Sequence, residues 1–173
     1  DPNNHLTDKG KEEAMIAAGE LKNQKIDIIL TSPFLRTKET AEIVRKELGL
    51  TQEKVIVEER LHEYSEGDTG LVRKRIGDFI YETEKNYEKK NILIVSHGNP
   101  IWILQKTALG LPINNFTEGQ MLNTGEAKVL NFIALPHNAN YELDLHRPYI
   151  DKITLVCNCG ADFSFAVKIV SKP

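Results

Sequence analysis

Residues 91–100 read NILIVSHGNP, and this stretch restricts the fold more than any other part of the chain. Ile92, Leu93, Ile94 and Val95 form an unbroken apolar run, three of the four β-branched. Such a run predicts a strand covered on both faces, as in a parallel sheet. It stops at residues unsuited to packing. Gly98 permits a sharp turn or the close approach of a ligand, and Pro100 suits the first turn of a new helix. A strand, a tight turn carrying His97 and a helix form the geometry in which open α/β sheets bind ligands at the carboxyl ends of their strands. The competing reading is a neutral His97 that merely caps or packs.

The same pattern occurs once more. IDIIL, residues 26–30, runs into Thr31-Ser32-Pro33, a cap followed by a proline at a first helical turn. Helices are predicted over 9–23, with Ala14, Ala17, Ala18 and Leu21 on one face, and over 34–48, with Phe34, Thr37, Ala41, Val44 and Leu48 inward. Gly49 stops the second. A short strand follows at Val55–Val57, then a polar loop over 60–70. A third helix over 71–89 turns Val72, Ile76, Phe79, Ile80, Thr83 and Tyr87 inward. A helix over 101–109, apolar nearly all round, reads as buried. Residues 114–125 read as loop and 127–135 as an edge strand. The expected fold is α/β, a three-layer open and mainly parallel sheet over residues 1–135. The tail, 136–173, is irregular, with short strands near 153–156 and 163–170.

Charge narrows the partners. A formal charge of −3 and a pI near 6.0 leave no basic field for nucleic acid, so an anion has to be held by a local cluster of cations. No run reaches the roughly 20 apolar residues of a membrane span. The two cysteines, Cys157 and Cys159, suit a reducing, cytoplasmic compartment. Read as a lone C-x-C they are weak zinc candidates, free buried thiols being the alternative. The opening DPNNHLT has loop character and no initiating Met, which reads as part of a longer chain.

If both strands lie in one parallel sheet, their carboxyl ends deliver Arg36 and His97 to one crevice. Helix N-termini there add free N–H groups and positive dipole ends. Arg36, forked and always charged, matches a phosphate bidentately, against the alternative of a surface arginine in a helix-face ion pair. Glu63, in the loop RLHEYSEG after a third strand, reaches the same edge. A carboxylate beside a phosphate is unfavourable unless protonated, as a general acid is. A solvated loop glutamate is the alternative, and Glu66 is the competitor for the role.

LTDKGKEEA, DIILTSPFLRTKETAEIV, RLHEYSEG and ILIVSHGNPI, taken in order, resemble the histidine phosphatase, or phosphoglycerate mutase-like, superfamily over residues 3–135. The resemblance implies that Arg36, His97 and Gly98 hold a transferred phosphoryl group and that Glu63 is the proton donor. His97 and Glu63 are then the catalytic pair. It implies no cofactor and no metal, and a small phosphorylated substrate or phosphate as partner. The short loop after Glu63 favours hydrolysis over mutase chemistry. The family's nucleophilic histidine sits in an Arg-His-Gly upstream of the segment that LTDKG matches, and no such motif occurs here. The expectation is that this histidine and the first strand lie outside the chain, which alone binds phosphate poorly and catalyses nothing. His5 is not promoted to that role, and His62 stands where the family usually carries arginine.

Residues 136–160, LPHNANYELDLHRPYIDKITLVCNCG, resemble a segment of isoleucyl-tRNA synthetases. This implies a phosphatase-like module inserted in an aminoacylating enzyme, with tRNA a partner only through that parent chain. A third reading is a non-catalytic phosphate-binding module.

Overall fold

The computed structural model describes residues 1–63, 69–112, 121–130, 132, 134 and 136–142. The two cysteines, Glu66, the loop over 114–120 and the strands expected at 153–156 and 163–170 lie outside the described residues. Helix α1, Asp8–Leu21, is capped by Thr7, whose hydroxyl accepts from Gly10 N–H. Its expected stripe of Ala14, Ala17, Ala18 and Leu21 is buried. Strand β1, Ile28–Thr31, leads to α2, Leu35–Glu47; β2, Val55–Val57, leads through a short 3-10 turn, Glu59–Leu61, towards α3, Thr69–Asn86. Strand β3, Ile92–Val95, runs into α4, Gly98–Ala108. No helix among the described residues is long and apolar enough to cross a membrane.

Among the described residues three strands form a parallel sheet in the order β2-β1-β3. β1 is therefore the middle strand, and side chains along it alternate between the two helical layers. Ile29 enters a cluster with Ala18, Leu21, Ala41 and Val44 from α1 and α2. Leu30 enters the other, with Ile76, Phe79, Ile80, Ile103 and Leu104 from α3 and α4. This is the three-layer architecture expected. Full burial of each large side chain contributes about 1.5–3 kcal/mol, so these two clusters hold the sheet between its helices.

Several local expectations are corrected. The apolar run of β3 predicts a strand covered on both faces, yet each of its residues is only partly buried. The reason is its place: β1 lies on one side, and on the other side a cleft runs along its whole length. Residues 127–130, expected in an edge strand, line that cleft without strand structure. The start of α2 also differs. Its N-cap is Phe34, not Ser32, so Pro33 precedes the helix and the strand-to-helix turn is longer. In α4 the inward face includes Gln105, Lys106 and Thr107, which are buried with their polar groups engaged. Gln105 accepts from Lys128 Nζ, Thr107 Oγ1 donates to Ile103 O, and the Lys106 ammonium lies 4.9 Å from the Trp102 ring centre.

Gly49 ends α2 with φ +67°, while Gly49 N–H donates to Lys46 O and Leu50 N–H to Arg45 O. A Cβ there meets nothing within 4 Å, so only the left-handed backbone opposes a side chain. Gly49→Ala is expected to cost about 1 kcal/mol in urea unfolding, and no loss beyond error contradicts this account. Residues 136–142 dock on α3: Arg73 donates from Nε to Asn140 O and from Nη2 to Tyr141 O. The Tyr141 ring covers Gly77, where a Cβ would overlap it.

Candidate functional site

The site is assembled by strand register. Ile28, Ile29, Leu30 and Thr31 of β1 pair with Ile92, Leu93, Ile94 and Val95 of β3, so the strands end side by side. Ser32 N–H extends the ladder by donating to Val95 O at 2.9 Å. Within three residues of each strand end the chain turns into a helix, and both turns lie at the same edge of the sheet. On the other flank of β1, Glu58 N–H donates to Thr31 O at 2.8 Å and starts the turn that carries Glu63. Ser96 Oγ donates to Leu61 O at 2.7 Å and ties that turn to the end of β3. Three strands thus contribute one side chain each to a single crevice.

Arg36 and His97, 61 positions apart, are in contact: Arg36 Nη2 donates to His97 Nδ1 at 2.9 Å. Glu63 Oε2 lies 3.9 Å from the same nitrogen. Arg36 Nη1 donates to Asp1 O at 3.0 Å, and its guanidinium lies 5.0 Å from the centre of the Phe34 ring. The Phe34 edge packs on the imidazole, the two ring centres 4.9 Å apart. His97 is itself the N-cap residue of α4, and Gly98 is that helix's first residue. The expected convergence of Arg36, Glu63, His97 and Gly98 is what the geometry displays.

The bonds define the proton on His97. A guanidinium only donates, so Nδ1 holds a lone pair and the neutral ring carries its hydrogen on Nε2. Nε2 lies 2.8 Å from Ser32 Oγ, which accepts it. Burial, then the Arg36 charge, then His62, push the imidazole down to about 4. A neutral ring held between Arg36 and Ser32 leaves the guanidinium as the main cation facing the crevice.

A second arginine–histidine pair lies near Glu63, and the sequence by itself does not reveal it. Arg75 of α3 donates from Nη1 to His62 Nε2 and from Nη2 to His62 O. His62 Nδ1 lies 2.6 Å from Glu59 O and so carries the hydrogen it donates. Burial pushes the Arg75 guanidinium down and the charge of Glu63 opposes that. Arg75 is half-buried on α3, and helical spacing alone does not show that it meets His62. His5, left aside in the sequence, pairs with Glu39 instead, Nδ1 to Oε1 at 2.6 Å.

The crevice opens into a cleft of about 830 Å3 beside β3. Arg36, Glu63 and His97 line its end at the carboxyl termini of the strands, and Ala17, Leu21 and Leu104 line its length. An open parallel sheet with Arg36, Glu63 and His97 gathered at the carboxyl ends of its strands has the geometry in which α/β domains bind their ligands.

The histidine phosphatase superfamily (branch 1) matches residues 1–70 and 68–133, and the chain belongs to that superfamily. Phosphoserine phosphatase 1 of Hydrogenobacter thermophilus is 28% identical over 196 aligned residues, covering 95% of this chain and 87% of that protein. The probable phosphoglycerate mutase GpmB of Photorhabdus laumondii is 34% identical over 85 residues, 49% of this chain and 37% of that protein. The chain thus spans most of the first relative and little more than a third of the second. Among solved structures, YhfR of Bacillus stearothermophilus superposes with a TM-score of 0.59 at 22% identity, over 71% of this chain and 76% of that one. That likeness is one of fold. None of these matches supports the synthetase resemblance of residues 136–160: the superfamily match ends at residue 133, and the phosphatase aligns with nearly the whole chain.

Proposed function

We propose that this chain is the phosphate-holding part of a phosphomonoester hydrolase that works through a phosphohistidine. The observation that carries the reading is the Arg36–His97 contact at 2.9 Å beside Glu63, at the carboxyl ends of parallel strands. Arg36 turns its fork from His97 and Asp1 O to two phosphate oxygens. His97 and the N–H groups opening α4 take the remaining charge. Glu63, protonated beside the bound anion, gives its proton to the ester oxygen as the P–O bond breaks and a P–N bond forms to a nucleophilic histidine. Water then attacks phosphorus, Glu63 takes a proton from it, and the P–N bond breaks to release phosphate. The nucleophile is assigned to no residue of this chain, whose sequence has no Arg-His-Gly. The substrate class is a small phosphomonoester, in keeping with the phosphoserine and phosphoglycerate named for the two relatives.

The test is phosphate release from a panel of such esters by the reading frame extended upstream by about 15–20 residues, the length of a strand and loop, beside the chain as it stands. The longer chain is expected to turn over, and Glu63→Gln to slow it by about 100-fold or more, the usual share of a general acid. Phosphate binding without turnover in the longer chain would leave the non-catalytic phosphate-binding module as the correct reading.

A further inference from the structure

We propose that Ser32 is a positioning residue for His97, its hydroxyl holding the Nε2 edge of the ring so that Nδ1 presents a proton to the anion in the crevice. The proposal rests on the phosphate-binding reading above and states how His97 performs its part.

Ser32 is fully buried at the end of β1. It stands where a helix cap was expected, but α2 is capped by Phe34 without a side-chain bond, and Phe34 N–H reaches Ser32 Oγ only at 3.4 Å. The short bond of the hydroxyl goes to His97 Nε2, at 2.8 Å. Its own backbone is held on both sides. Ser32 N–H donates to Val95 O at 2.9 Å, and its carbonyl accepts from Thr37 Oγ1 at 3.0 Å. The hydroxyl is thereby fixed in place relative to β3 and α2 while remaining free to rotate.

That rotation has a use. Without an anion, Arg36 donates to Nδ1 and His97 gives its Nε2 hydrogen to Ser32. When Arg36 turns to an anion, a lone pair on Nδ1 would face an oxyanion, which is repulsive. His97 then either gains a proton at Nδ1, or moves its hydrogen from Nε2 to Nδ1. In the first case Ser32 Oγ continues to accept; in the second it rotates and donates to Nε2. A hydroxyl serves both because it gives and accepts. The charged and titratable groups facing the ring are Arg36 from α2, Glu63 after the 3-10 turn and, further off, His62. Arg36 and His62 oppose the imidazolium and Glu63 favours it. Ser32, being neutral, supports either form without deciding between them.

The experiment has two arms on the chain as it stands. Nitrogen-15 spectra of histidine in the ligand-free protein read the tautomer of His97 in wild type, Ser32→Ala and Ser32→Thr. Arg36 keeps Nδ1 unprotonated, so the Nε2–H form is expected in all three, with the Nε2 signal shifted in the alanine variant, where its hydrogen loses its acceptor, and restored in the threonine variant. Titration with inorganic phosphate from pH 5 to 8 is expected to show about a tenfold loss of affinity in Ser32→Ala, the effect of one buried hydrogen bond, with an altered pH profile and rescue by threonine. Ser32→Cys, a weak donor, replaces alanine if that variant does not fold. An Nε2 signal unmoved in Ser32→Ala, or a moved signal with phosphate affinity and pH profile as in wild type, overturns the proposal. Failure of the underlying reading is separate: wild type then binds no phosphate, or Arg36→Ala binds it as well as wild type, while the ligand-free spectra still decide whether Ser32 sets the ring.

Discussion

Arg36→Ala is expected to weaken the binding of phosphate or orthovanadate by about 100-fold, within the 2–5 kcal/mol typical of losing one partner of a desolvated, charge-assisted pair. Two effects add to reach that size. The fork of two parallel N–H bonds to the anion is lost, and with it the full positive charge that Arg36 holds beside His97. Arg36→Lys restores the charge without the fork and is expected to recover only part of the affinity. Titration calorimetry at low ionic strength measures both variants, since exposed electrostatics are screened within about 10 Å at 0.1 M salt. Equal affinity in Arg36→Ala and wild type would remove the guanidinium from the site and with it the phosphate reading.

The second large effect is on acid stability. His97 is nearly fully buried and its pKa is lowered from 6.5 to about 4, first by burial, then by Arg36, then by His62. Between those values the unfolded chain takes up a proton that the folded chain refuses, so stability rises with pH across the window. The contribution is complete above about pH 6.5 and is lost as pH falls towards 4. At about 1.4 kcal/mol per pH unit the loss amounts to about 3 kcal/mol at most. Urea unfolding at pH 7.5 and 4.5 measures it, and His97→Gln separates it from the carboxylates that also titrate in acid. The variant is expected to lose less stability between the two pH values than wild type. Equal losses would mean that the ring takes its proton inside the fold as readily as outside.

The same lowered pKa bears on ligand binding. If phosphate converts His97 to the imidazolium, binding takes up a proton, and affinity strengthens as pH falls from 7 towards 5. Sulfate, which does not titrate in that range, is the cleaner probe: calorimetry in buffers of different ionisation heat reads the proton count directly. Uptake near one proton supports the ionised form, and none supports the tautomer change.

Much of the fold was legible because its signals are local. The stripe Ala14, Ala17, Ala18, Leu21 recurs at helical spacing, and its burial follows from α-helix geometry alone. Gly49 marks a helix end because a left-handed residue there is cheap for glycine and costly for others. The short apolar runs in β1 and β3 signal strands between two layers. Their solvent exposure was not legible. The run in β3 has the composition of a fully covered strand, but the number of neighbours beside it is a property of the sheet. The absence of strand structure at 127–130 has the same origin, since a weakly alternating segment becomes a strand only when a partner edge meets it.

Residue types and their order along the chain determined that a parallel α/β domain would place an arginine, a histidine and a glutamate after three different strands. Hydrophobic periodicity and turn chemistry act over a few residues, and so they are written in the sequence itself. The tertiary structure alone decided which atoms meet: that Arg36 donates to Nδ1, that Ser32 holds Nε2, and that Arg75 and His62 form a second pair beside Glu63. Those contacts depend on strand register and on the angle at which each helix leaves its strand. A one-residue slip in strand register would turn the side chains of that strand to the other face and carry the following turn out of line with its neighbours.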